Sequence, residues 1–368
     1  MTSMNLSNTP TQPETLAPLK IDTRLIGPGR PTFVVAEIGV NHDGSASKAL
    51  ELARIACNSG ADAVKLQVFR AATLVHPSCR MAEYQRQQLP SDDPIEMLKR
   101  YELSSDDLGR IVKGIRDLKL IPLATPFSPN DLNLVERLRL PAIKIASPDL
   151  INRPLLAASV KLAKPLLVST GAATMAEVET TCGWLKEWGA TFGLMHCVSS
   201  YPAPPQDANL CWIEELARRF DVPIGYSDHT TSPLTGALAA AAGAYIVEKH
   251  LTYDRAARGP DHATSADPAQ FERYVKMIRE ADALRGAPGK RVLPTEEDVR
   301  TIGRQSLVLR RALQPGDAIR EEDLAVQRPG TGVSAALVRE TVGRKVVKAV
   351  NAGAILQWDM ISEISDAA

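Results

Sequence analysis

Eight short runs of apolar, largely β-branched residues recur between residues 33 and 252, and a helical stretch follows each of them. The runs are FVVAEIGV (33–40), ADAVKLQVF (61–69), LIPLATP (120–126), PAIKIAS (141–147), PLLVST (165–170), FGLMHCVS (192–199), VPIGYSDH (222–229) and YIVEKHLT (245–252). Each has the length and composition of a strand buried on both faces. Helix starts are readable between them. Ser104 with Asp107, and Thr174 with Glu177, fit a capping box. Asp267 followed by Pro268 fits an N-cap with a first-turn proline. The helix after it would place Phe271, Tyr274, Met277, Ile278, Ala281 and Leu284 on one stripe. Strand and helix alternating eight times over roughly 250 residues predicts an α/β fold, a (β/α)8 TIM barrel. A doubly wound open sheet is the alternative, but no GxGxxG follows the first run.

The connection over residues 70–103 is longer than such units need, and long loops are often functional. After Leu284 the pattern changes. RGAPGKRVLPTEEDV (285–299) has Gly, Pro and charge without periodicity, and reads as a linker. The remainder predicts a small β-rich domain with a weak internal echo, PGDAIREEDL (315–324) and AGAILQWDMI (352–361). The expected organisation is a flexible tail over 1–20, a barrel domain over 21–285, a linker over 286–302 and a small β domain over 303–368. A domain of that last size is near the limit of independent stability and is expected to dock on something.

Charge narrows the function classes. Lys plus Arg number 43, as do Asp plus Glu, so the net charge is zero. Nucleic-acid binders are usually basic overall, and at 5% aromatic residues a base-stacking platform is not expected either. Cys57, Cys79, Cys182, Cys197 and Cys211 are scattered and form no CxxC pair, which argues against a disulfide framework or a structural zinc site. The first 18 residues lack the basic and apolar regions of a signal peptide. No apolar run approaches a membrane span; GALAAAAGAYIV from Gly236 is the longest. The expectation is a cytoplasmic protein without membrane or nucleic-acid partners.

Barrel enzymes do chemistry at the C-terminal ends of their strands, and polar groups inside apolar strands are costly unless used or paired. Here every strand carries them: Glu37; Lys65 and Gln67; Thr125; Lys144 and Ser147; Ser169 and Thr170; His196, with Ser199 and Tyr201 following; Ser227, Asp228 and His229; Glu248, Lys249 and His250. Internal ion pairs explain some of these, but two lysines among several hydroxyls favour a phosphate cradle. His229 and His250 end adjacent strands at equivalent depth, which suits a divalent metal with open positions. His196, mid-strand, reads as a satisfied core histidine. His42, in a loop, could contact ligand, and His76 is uninformative. Cys197 reads as packing, with no adjacent base to activate it.

In order and spacing, AEIGVNHDG, DAVKLQVF, ATPFS, KIAS, LVSTG, MHCVSSYPAP, IGYSDHT, VEKHLT, GPDH and QRPGTGVS make the chain resemble the N-acetylneuraminate (sialic acid) synthase family from about residue 21 to its end. The resemblance implies a TIM barrel followed by an antifreeze-like (SAF, β-clip) domain. It implies condensation of phosphoenolpyruvate with N-acetylmannosamine and water, giving N-acetylneuraminate and phosphate. The same condensation on another acetamido hexose, as in legionaminic or pseudaminic acid synthases, is the alternative. By motif position His229 and His250 would bind the metal, Mn2+ foremost, with Mg2+ or Co2+ possible. Lys65, Thr125, Lys144, Ser147, Ser169 and Ser227 would hold phosphoenolpyruvate, with Ser199 close by. Glu37, Gln67, Tyr201 and Asp261 would line the sugar end, with Glu37 the general base or an orienting group. Arg328 would reach the N-acetyl group of a partner subunit's site in a domain-swapped homodimer.

The chain departs from that family at Pro148-Asp149, where Gly-Glu is usual after KIAS, and at Ser199, where some members carry Asn. A binding protein with an inert barrel, and a metal-dependent aldolase or hydrolase, are the competing classes. The set Glu37, Lys65, Lys144, His229, His250 and Arg328 argues against the first. The second leaves the C-terminal domain without a role.

Overall fold

The structure is a computed structural model and describes residues 16–76, 78–80, 93–287 and 289–362. The chain divides into two compact units, Met1–Ala287 and Pro288–Ala368.

The first unit opens with a hairpin, β1 (Leu19–Ile21) and β2 (Arg24–Ile26), paired antiparallel. Eight parallel strands follow: β3 (Phe33–Gly39), β4 (Ala63–Val68), β5 (Ile121–Pro126), β6 (Ile143–Ile145), β7 (Leu166–Ser169), β8 (Phe192–Cys197), β9 (Ile224–Asp228) and β10 (Ile246–His250). They close into a barrel, with β10 hydrogen-bonded to both β9 and β3. This is the (β/α)8 architecture expected from the alternating runs. The hairpin was not expected. The tail assigned to residues 1–20 ends before Leu19, which is buried with Ile21 and Ile26; residues 1–15 lie outside the described residues.

The pleat sends alternate side chains to opposite sides of the wall. Outward residues such as Val34, Ala36, Val64, Leu66, Val168 and Val247 pack against the helices in one continuous core. Inward residues near the strand starts, among them Phe33, Val35, Ala63, Leu123, Leu167 and Met195, form a second core with Leu19, Ile21 and Ile26. The hairpin thus plugs the N-terminal end of the barrel. Gly225 makes that packing possible: a Cβ there would sit 2.8 Å from the Cβ of Ile246 and 3.3 Å from Met195 Cγ.

The helix caps follow the sequence. Thr174 and Glu177 form a reciprocal capping box on helix Met175–Glu187. Ser104 accepts from the Asp107 amide at the start of helix Ser105–Asp117. Asp267 and Gln270 close the start of helix Pro268–Arg285. On that helix Phe271, Tyr274, Val275 and Ile278 are buried, but Leu284, expected on the same stripe, is 80% exposed. At 3.6 residues per turn Leu284 falls roughly 140° around the helix from Phe271, off the stripe that Phe271, Tyr274, Val275 and Ile278 form. Among the described residues no helix is long and apolar enough to cross a membrane.

The second unit packs Leu307, Leu309, Leu313, Ile319, Leu324 and Val333 with Val346, Val350, Leu356 and Ile361. Its only ladder among the described residues is β11 (Ser306–Leu309) with β12 (Leu324–Gln327), antiparallel. The sequence echo is a structural one. Gly316 and Gly353 both turn at positive φ, Ile319 and Leu356 are both buried, and one-turn 3-10 helices at Glu321–Asp323 and Trp358–Met360 both lead to a buried residue, Leu324 and Ile361. The stretch read as a linker is not irregular throughout, since Glu297–Gly303 is helical.

Candidate active site

At the C-terminal end of the barrel the same inward positions become polar. They line a cavity of about 190 Å3. Lys65 and Gln67 come from β4, Thr125 from β5, Lys144 from β6, Ser169 from β7, Cys197 from β8, Ser227 and His229 from β9 and its end, and Glu248 and His250 from β10. Ser147, Tyr201 and Asp261 enter from the loops. Eleven of the fourteen residues singled out from sequence therefore meet at one cavity: Lys65, Gln67, Thr125, Lys144, Ser147, Ser169, Tyr201, Ser227, His229, His250 and Asp261.

The other three do not line it. Glu37 is fully buried, and its carboxylate is taken by Lys65 Nζ at 2.6 Å and by the Gln67 amide at 3.2 Å. It holds Lys65 in place from behind the lining and is not itself among the residues that line the cavity. A bulge in β3 at Gly39, φ +36°, makes room for it: a Cβ there would lie 2.5 Å from Glu37 Oε1. Ser199 is exposed outside the cavity lining, although its hydroxyl would meet a Cβ built on Gly171 at 2.3 Å. Arg328 is exposed in the second unit.

Glu248 was named from sequence only as a strand polar, yet it is the centre of the charge network. Its Oε1 lies 3.5 Å from Lys65 Nζ and 3.9 Å from Lys144 Nζ, and accepts from the Ser227 hydroxyl at 3.0 Å. Its Oε2 is buried without a hydrogen-bond partner. Burial by itself would raise its pKa, but Lys144 and Lys65 hold it down to about 2. Alternation could have found it, because Glu248 and His250 share the inward face of β10 while Lys249 points out. Lys144 donates to Ser169 Oγ at 2.6 Å, and Lys65 to Thr125 Oγ1 at 3.1 Å. Burial, with repulsion from Lys65, lowers the Lys144 pKa. Burial also lifts Asp261 to about 6, with Glu37 adding to it.

The two histidines stand 5.6 Å apart by ring centroid, and the Tyr201 ring is 4.1 Å from His229. His229 donates from Nδ1 to the Val198 carbonyl at 2.7 Å, which orients the ring; burial opposes protonation, but Cys197 and that carbonyl raise its pKa, and Nε2 is a metal donor only when the ring is neutral. Burial, with repulsion from His229 and Lys65, drives the His250 pKa well down, so the ring is neutral. Its Nδ1 is buried without a hydrogen-bond partner, 3.8 Å from Asp261 Oδ2. Such a neutral, orphaned imidazole suits a metal ligand. Among the described residues no set of three or more His, Cys, Asp or Glu side chains converges on a metal position. A metal here would rest on the two imidazoles and on oxygens from solvent or substrate.

Cys197 differs from its sequence reading. Its Sγ lies 3.7 Å from His229 Nδ1. Burial opposes ionisation, but His229, Ser147 and Lys144 together lower the thiol pKa. The partner is 32 residues away in sequence, so no local signal existed. His196 is as expected, buried and bonded to the Ala208 carbonyl at 2.8 Å. His42 is buried outside the cavity lining, where its Nδ1 accepts from the Gly44 amide.

One wall of the mouth is apolar. Val40, Met97, Leu98 and Phe127 line it, and Met97 and Leu98 come from helix Pro94–Lys99 within the long connection over 70–103. Residues 81–92 of that connection lie outside the described residues.

Comparison with known proteins places this geometry. The NeuB family matches residues 52–290, and the SAF domain matches residues 304–362. An N,N'-diacetyllegionaminic acid synthase of Legionella pneumophila is 38% identical over 335 residues, covering 89% of this chain and 94% of the relative. A second N,N'-diacetyllegionaminic acid synthase, of Campylobacter jejuni, is 33% identical over 321 residues, covering 86% and 96%. The crystal structure of an N-acetylneuraminic acid (sialic acid) synthetase from Leptospira borgpetersenii superposes with a TM-score of 0.70 at 29% identity, covering 78% of this chain and 96% of that one.

Proposed function

The chain belongs to the NeuB family and is an enzyme of the sialic acid synthase type; from that premise we propose that it condenses phosphoenolpyruvate with a diacetamido hexose and water, giving a legionaminic-acid-type 2-keto acid and phosphate. N-acetylmannosamine, expected as the acceptor from sequence, yields to the alternative because the two relatives at 38% and 33% identity are both N,N'-diacetyllegionaminic acid synthases. The apolar wall of Val40, Met97, Leu98 and Phe127 supports this choice, since it suits acetamido methyls better than a chain of hydroxyls.

The observation that carries the reaction is the pair of buried lysines set among Thr125, Ser169, Ser227 and Glu248. The lysine ammonium groups and the hydroxyls would hold the phosphate and carboxylate of phosphoenolpyruvate in fixed positions, with little reorganisation as charge develops. Glu37 and Glu248 keep both ammonium groups aimed at the cavity. The C3 carbon of phosphoenolpyruvate attacks the open-chain aldehyde, forming the new C–C bond. Water adds at C2, and the C–O bond to phosphate then breaks. Asp261, a carboxyl held near 6, can supply the proton that the new sugar hydroxyl takes up. His229 and His250 would hold a divalent ion, Mn2+ in our reading. Bound there, it would act as a Lewis acid on the aldehyde oxygen. Arg328 of a second copy would complete the sugar end in a swapped homodimer. Mixed dimers of Arg328→Ala and Lys144→Met chains should then regain activity, and a dead mixture would count against the swap.

The deciding experiment gives the protein phosphoenolpyruvate, Mn2+ and a panel of acetamido and diacetamido hexoses. Phosphate release and product mass are the readouts. A diacetamido hexose should turn over fastest. Preference for N-acetylmannosamine would overturn the sugar assignment, and no phosphate release with any acceptor would overturn the reaction.

A further inference from the structure

We propose that a pocket on the outer side of the barrel wall, behind β9 and β10, is a second binding site that takes a phosphate group. It is a cavity of about 160 Å3 and shares no lining residue with the cavity at the mouth. Its walls are the loops that follow β9 and β10 and the first turns of helix Pro268–Arg285. Lys249, Arg255 and Arg273 line it, and no carboxylate does.

Lys249 reaches the pocket from the outward face of β10. It is buried and leans on Asp228, 3.2 Å away behind the lining. Asp228 is itself fully engaged: it also accepts from the Tyr274 hydroxyl at 2.8 Å and the Thr230 amide at 2.8 Å. Arg255 uses Nη2 on the Ala263 carbonyl at 3.0 Å, but its Nε is buried with no hydrogen-bond partner. A buried donor left unpaired is costly and calls for an acceptor. Around these cations stand neutral donors, the hydroxyls of Thr231 and Ser232 and the side-chain amide of Gln270. The first turn of the helix is already capped, because the Gln270 amide N–H donates to Asp267 at 2.8 Å. Side chains would therefore do the binding. Cations and hydroxyls around a small cavity suit a tetrahedral, multiply charged acceptor. Inorganic phosphate and the phosphate end of a sugar ester share this chemistry.

The test titrates the full chain by calorimetry with inorganic phosphate and, separately, with a hexosamine 6-phosphate. The wild type should bind phosphate at two places, the mouth and this pocket. Lys65→Met with Lys144→Met should remove the first and leave the second. Arg255→Gln with Arg273→Gln should weaken the second by roughly tenfold or more and leave the first. These last two changes touch partly exposed side chains, so the result does not depend on the lysine variant folding. If the mouth takes no phosphate, the wild type shows a single site that the arginine variant still loses. Tighter binding of the sugar phosphate names an ester as the occupant, and equal binding names free phosphate. Unchanged phosphate binding in the arginine variant overturns the proposal.

Discussion

On β4, Ala63 and Lys65 both point into the barrel, two residues and about 7 Å apart along the strand. Ala63 packs in a closed apolar core, while Lys65 joins a network of charges that opens to a cavity. The same change occurs from Phe33 and Val35 to Glu37, from Leu123 to Thr125, from Leu167 to Ser169 and from Ile246 to Glu248. Backbone and pleat are shared, so the difference lies in what each end is asked to do. The N-terminal half is sealed by the hairpin residues Leu19, Ile21 and Ile26 and contributes stability. The C-terminal half accepts the cost of buried charge, offset by pairing Lys65 and Lys144 with Glu37 and Glu248.

If that division is real, the two halves should respond oppositely to substitution. The largest effect is expected at the mouth. His250→Ala should cut metal-dependent turnover by about 10³ or more and leave the thermal midpoint nearly unchanged. Activity that survives both this change and chelation would remove the metal from the scheme. Leu167→Ala at the sealed end should do the reverse, costing about 3–4 kcal/mol in urea unfolding with kcat kept. A large loss of kcat without loss of stability there would break the comparison.

The third effect separates structural polarity from functional polarity at the same end. His42 titrates near 6.5 when unfolded, but burial holds it at about 4 in the folded chain. The folded state thus binds fewer protons across that window. The stability it contributes is present above about pH 6.5 and is lost as pH falls to about 4, by about 3 kcal/mol. His42→Asn keeps an acceptor for the Gly44 amide and removes the titration. Unfolding midpoints of the two proteins should converge toward pH 4, and a constant gap would show that His42 does not titrate as described. The smallest effect is Gly225→Ala, which crowds Ile246 and Met195 and should cost about 1–2 kcal/mol. Calorimetry on this variant reads how tightly the sealed end is packed.

Much of this was legible in the chain. Eight β-branched runs that bury both faces call for a parallel sheet covered by helices, and eight strand-helix units without a GxGxxG favour the closed barrel over an open sheet. Polar residues at strand ends could be listed without coordinates because each interrupts an apolar run. The hairpin was not legible, since β1 and β2 are three-residue strands, too short to show a period, and they straddle the boundary between the tail and the barrel. The helical turn carrying Met97 and Leu98 lies in a long connection and was not expected to supply an apolar wall.

The sequence by itself determined the alternation, hence the barrel, the family and the set of polar side chains available at one end. Tertiary structure alone decided how those side chains pair. Glu37 and Gln67 meet across 30 residues, Ser227 and Glu248 across 21, and Cys197 and His229 across 32. Periodicity reports which face a residue takes, because that is a local property of the backbone. Which neighbour it meets on that face depends on strand order and register, and these are fixed only when the barrel closes.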